Sequence, residues 1–175
     1  QNNRSKQAAI DHNIAQSTVH DLFIQAYYQA VLEQGKAFDI LECRTIDKVD
    51  TSYPKLIILD FGAENCEGRY NVDRRGKLEL TIENEFDIAG TTIKVVPQNY
   101  YVNDYKIEGL LEITYVETNV NVNRVYKISA QELLLQINDD EETQFTASFD
   151  RTYELVDGQK DLNFVWDDVF AVRGE

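Results

Sequence analysis

The chain has 175 residues, 43% of them hydrophobic, and a formal charge of −14 at pH 7. That length is enough for one domain with a substantial core. The acidic balance argues against nucleic acid and anionic membrane surfaces as partners, because both are gripped by basic patches. No run is apolar over the length a bilayer span requires. The sequence opens at Gln1 and contains no methionine, which suggests removal of an upstream tag or secretion signal.

Residues 1–7 (QNNRSKQ) are polar and without period, so a flexible lead-in is expected. From Ala8 to Gln34 the period becomes helical. Ala15, Val19, Leu22, Ala26 and Ala30 recur at spacings of three and four, Phe23 and Tyr27 widen the stripe, and Gln25 and Gln29 interrupt the apolar surface. Gly35 lies where a C-cap belongs. A stripe this broad must bury against the body of the domain or a partner.

After Lys36 the period is two. Leu78, Leu80, Ile82 and Phe86 share one face of 77–86, with Glu79, Thr81, Glu83 and Glu85 on the other. The alternation returns at Ile93 and Val95, at Leu111, Ile113 and Tyr115, and at Leu133, Leu135 and Ile137. It continues in Phe145, Ala147 and Phe149, in Tyr153 and Leu155, and in Leu162, Phe164 and Trp166. Polar turns separate the runs, and Asp157-Gly158 suits a tight hairpin. Pro54 and Pro97 are expected at strand starts or edges, where a missing N–H is tolerated. Connections this short imply antiparallel neighbours. The expected fold is mainly β: an antiparallel meander of about 8–10 strands forming a sandwich or open barrel, with one N-terminal helix packed on it. Residues 1–35 form the lead-in and helix, and 36–175 a single antiparallel β domain.

Chemistry-bearing residues are sparse. His12 and His20 are two turns apart on the helix, too far for one metal, and read as surface histidines. Cys43, in the strand-like run 38–46, and Cys66 match neither a CxxC motif nor a zinc pattern, so they are expected to form a structural disulfide in an oxidising compartment. The acidic runs at 138–142 and Asp167-Asp168 lack the ligand spacing of a calcium loop. Core or cross-strand packing is the preferred reading of Tyr100, Tyr101, Tyr105 and Trp166, which are also the candidate ligand contacts, since aromatic faces beside carboxylates build many carbohydrate sites. Arg74-Arg75-Gly76 enters a strand and is expected to pair with neighbouring glutamates. No residue is assigned as catalytic, cofactor-binding or metal-ligating.

The ordered series Cys43, YPKLIILDFG with Cys66, GRYNVDRRGKLELTI, NYYVNDYKIEG, FDRTYELVDG and WDDVFAVRGE resembles a family of secreted proteins and lipoproteins common in Bacteroidetes. The resemblance covers about 36–175. It implies an exported, mostly β, envelope-associated protein of unknown biochemical role, with a lipid anchor expected upstream of residue 1; the expected partner is a glycan or another envelope protein. It brings no catalytic residues. The chain departs from the family pattern in 117–137, which leaves the strand count there open. The expected function is a non-enzymatic structural, adhesive or interaction module; the alternative is a carbohydrate-binding module or a carboxylate-based glycan hydrolase.

Overall fold

A computed structural model describes residues 2–35, 43–137, 140–157 and 168–174. Helix α1 (Asn2–Glu33) leads into β1 (Thr45–Lys48), β2 (Lys55–Asp60), β3 (Cys66–Glu67) and, after a 3-10 turn at Arg69–Asn71, β4 (Asp73–Ile82). Then follow β5 (Thr92–Val102), β6 (Tyr105–Glu108), β7 (Leu111–Thr118), β8 (Arg124–Ile137), β9 (Asp140–Asp157) and β10 (Val169–Gly174). Among the described residues ten strands make one sheet, and their pairings are antiparallel. The described residues therefore form the expected antiparallel meander with an N-terminal helix.

Helix α1 starts at Asn2 rather than Ala8. Residues 2–7 contain no proline or glycine, and once the downstream turns are formed each added residue propagates the helix at little cost. Arg4 to Ile10 stay exposed. From Ala15 onward burial is no longer a stripe: Val19, Leu22, Phe23, Ala26, Tyr27 and Ala30 are buried, and so are Thr18, Gln25, Tyr28 and Gln29. Gln25 accepts from Arg44 Nη1, and Gln29 Nε2 donates to Glu33 Oε1 at 3.0 Å, so the interrupting amides are satisfied inside the fold. Arg44 lies beside β1, whereas Asp168, beside β10, accepts a hydrogen bond from Tyr27. Positions 25 and 27 are about 200° apart around a helix. The two ends of the sheet thus approach α1 from different sides, and the sheet curls around it. Gly35, with φ +67°, closes the helix in the left-handed conformation that a Schellman-type cap needs.

The path across the sheet is β1-β2-β4-β5-β6-β8-β9-β10. β2 and β3 pair with opposite ends of β4, and β6 and β7 lie end to end between β5 and β8. Each couple fills one strand's place, so the topology remains a simple meander. In 117–137 the open question resolves into the end of β7, the turn at 119–123 and the long β8. Leu78, Leu80 and Ile82 of β4 face the core, as do Ile93, Val95, Leu111, Ile113, Leu133 and Leu135. Phe86 leaves the strand yet is buried from the turn. Phe145, Ala147, Phe149, Tyr153 and Leu155 fall on the single strand β9.

Pro54 precedes β2, as expected, but Pro97 lies inside β5, opposite Leu78 of β4. It is tolerated because β5 leaves β7 at Val95 and meets β6 only at Tyr100. The intervening stretch has no ladder on that side to lose. A bulge lies nearby in β4 at Gly76, whose φ is +86° and where an added Cβ would lie 1.9 Å from the Asn99 carbonyl oxygen.

Cys43 and Cys66 form the expected disulfide, with Cα atoms 5.9 Å apart, inside the usual range. It ties the start of the β1 arm to β3, and the loop it closes corresponds to about 3 kcal/mol in the chain-entropy account. Of the run 38–46, residues 38–42 lie outside the described residues, and strand structure begins at Thr45. Gly158, Leu162, Phe164 and Trp166 also lie outside them.

Candidate functional site

Arg74 opens β4 on the inward face and is 5% exposed. A guanidinium in that position requires a carboxylate, and α1 supplies Asp21. Arg74 Nη2 and Nε donate to Asp21 Oδ1 at 2.5 and 3.1 Å, and Tyr100 Oη donates to Asp21 Oδ2 at 3.0 Å. One helical carboxylate therefore joins β4 and β5 in a buried network. Burial first, and the Asp21 charge second, push the Tyr100 phenol well above its ordinary value.

His20 precedes Asp21. Its ring stacks on Tyr153, with centroids 5.9 Å apart, although the residue remains exposed at its edge. Desolvation of that face lowers its pKa, and the charge on Asp21 offsets part of the effect. Deeper along the helix, Phe23 and Tyr27 pack with Tyr126, Tyr153 and Phe170. Tyr27 Oη donates to Asp168 Oδ2 at 2.9 Å.

Between these groups and the 3-10 turn lies a recess of about 300 Å³, with walls that include His20, Asp21, Tyr70, Val72, Asn103 and Asp168. Tyr70 stands at its mouth, 79% exposed. Tyr70 and Asn71 are both left-handed, at φ 61° and 56°, a conformation that costs a non-glycine residue on the order of 1 kcal/mol or more. The turn thus holds an aromatic ring in solvent beside a polar, partly apolar hollow.

The sequence candidates do not converge here. Tyr100 is fully buried as the Asp21 donor; Tyr101, the next residue, faces the opposite way and lies under the Arg75 guanidinium, 3.7 Å from its ring centroid. Tyr105 is half-buried and pairs with Val102. Trp166 is outside the described residues. The arginine pair is satisfied by aspartates, not glutamates: Arg74 by Asp21, and Arg75 by Asp104 at 2.5 Å. Asp21 and Tyr70 were missed; the legible signal was an arginine at an inward strand position, which demands a buried acid somewhere. Asp168 bonds to Tyr27, while Asp167 and the side chains of 138–142 are outside the described residues. Among the described residues no group of three or more His, Cys, Asp or Glu side chains is placed to hold a metal. No family model, curated protein or solved structure matches the chain.

Proposed function

We propose that the protein is an exported cell-envelope module that acts by binding rather than by catalysis, with the recess beside Tyr70 as its contact site. The observation that carries this reading is the occupation of the curled sheet by the chain's own helix: Phe23, Tyr27 and Tyr28 are at most 1% exposed. The space in which a barrel of this kind would hold a substrate is filled with side chains. Asp21, in the wall of the recess, is engaged by Arg74 and Tyr100, so its oxygens are already committed to buried partners. The disulfide supports an oxidising compartment.

The preferred partner is another envelope protein. The carbohydrate reading has one observation in its favour, the solvent-held ring of Tyr70 next to Asn103 and Asp168. Glycan-array binding by the wild type and by Tyr70→Ala separates the two. Binding that the substitution abolishes establishes the glycan site, and silence of the wild type leaves the protein partner. Turnover of any glycan that is lost in Asp21→Asn would overturn the non-catalytic reading. Export is tested separately by intact mass of protein from its native cells, alkylated without reductant. Two modified cysteines would contradict it.

A further inference from the structure

The inward face of β9 carries Phe149, Arg151, Tyr153 and Leu155, all buried. An arginine in that row needs a partner, as Arg74 does, but Arg151 has none among the described residues. It is 9% exposed, its Nε is buried without a hydrogen-bond acceptor, and its guanidinium lies 5.1 Å from the Phe149 ring centroid. A buried guanidinium nitrogen left without an acceptor favours an anion that can reach the group.

Space for one is present. A recess of about 280 Å³ lies between the first half of α1 and β9, walled by Asp11, His12, Ala15, Phe145, Phe149 and Arg151 among others. Among the described residues β10 pairs with β9 only between Arg151 and Asp157, and the recess lies along the part of β9 before that pairing. Asp11 is engaged by Gln7 Nε2 at 2.7 Å along the helix, and His12 adds an exposed ring at the rim. Ala15, Phe145 and Phe149 give the hollow an apolar floor. The net charge of −14 opposes long-range attraction of any anion. Affinity must come from short-range, forked contact plus burial of hydrocarbon.

We propose that this recess binds a small organic carboxylate, its oxygens forked on the Arg151 guanidinium and its hydrocarbon part laid against Phe145 and Phe149. The site is separate from the Tyr70 recess, and its existence does not depend on what binds there.

The test uses benzoate as probe and benzyl alcohol as its neutral counterpart, titrated into the full chain and followed by amide shifts and calorimetry. Benzoate should give saturable shifts at residues 11–15 and 145–151, and benzyl alcohol should not. Arg151→Met, which keeps the stem and removes the charge, should weaken benzoate by about tenfold or more. Its thermal midpoint should hold or rise, because an uncompensated buried charge has gone. Should that variant fail to fold, Arg151→Lys provides a second reading, since it keeps the charge but loses the fork. Asp11→Asn, at the surface, should tighten benzoate binding. Absence of saturable shifts with benzoate, equal binding of benzyl alcohol, or unchanged affinity in the folded Arg151 variant would each overturn the proposal. Equally tight binding of inorganic phosphate would overturn the assignment to an organic anion.

Discussion

Replacing Asp21 by alanine tests the buried network most sharply. The side chains of Arg74 and Asp21 are 6% and 10% exposed, so removing the carboxylate deprives a buried guanidinium of its acid and orphans the Tyr100 hydroxyl. Loss of one partner of a buried pair costs about 3–5 kcal/mol, which for a domain of this size lowers the melting temperature by about 10 °C. Urea unfolding gives the free energy directly. The double variant Asp21→Ala/Arg74→Met should recover much of the loss, because the buried charge is gone too. His20 adds an independent readout: burial already lowers its pKa and Asp21 partly restores it, so an NMR titration of Asp21→Ala should place it lower still. A loss below about 1 kcal/mol, typical of an exposed pair, with no recovery in the double variant, would refute the argument.

Alkali should destabilise the fold through its buried phenols. Burial pushes Tyr126 from 10.0 to about 12, and Tyr27 and Tyr100 shift in the same direction. A raised folded pKa favours the neutral phenol in the native state, so this stability is complete below pH ~10 and lost as pH rises toward ~12, about 3 kcal/mol for Tyr126 alone. Phenolate absorbance and unfolding free energy followed together check it, and a flat stability across that window contradicts it. Gly76→Ala should cost more than about 2 kcal/mol, because its Cβ would meet the Asn99 carbonyl at a positive φ; a neutral effect in urea unfolding would show that the bulge relaxes. Reduction of Cys43–Cys66 should lower stability by about 3 kcal/mol while leaving the β-sheet circular dichroism at low temperature unchanged.

Much of the fold was legible because strand alternation is enforced by burial: Leu78, Leu80 and Ile82, or Leu111 and Ile113, can face the core in only one register. The helix was legible in its stripe, but not in its enclosure. Gln25 and Gln29 look like solvent-facing interruptions until Arg44 and Glu33, outside the helical period or at its end, satisfy them. Pro97 has the unpaired side its missing N–H calls for, but the gap between β6 and β7 that supplies it is a property of pairing and not of local sequence. Adjacent residues on a strand point apart, so Tyr100 lies in the core while Tyr101 packs under Arg75. Asp21 was one acid among 31 acidic residues, and only the fold selects it.

The account rests on α1 being a permanent filling of the sheet, leaving binding to the recesses at its flanks. Native-state hydrogen exchange measures that directly. Amides from Val19 to Val31 should exchange only through global unfolding, with the same free energy and denaturant dependence as those of β4, β5 and β8. Exchange of the helix at markedly lower free energy than the sheet would mean that α1 leaves its place while the strands stay folded, and the interior would then be open to a ligand.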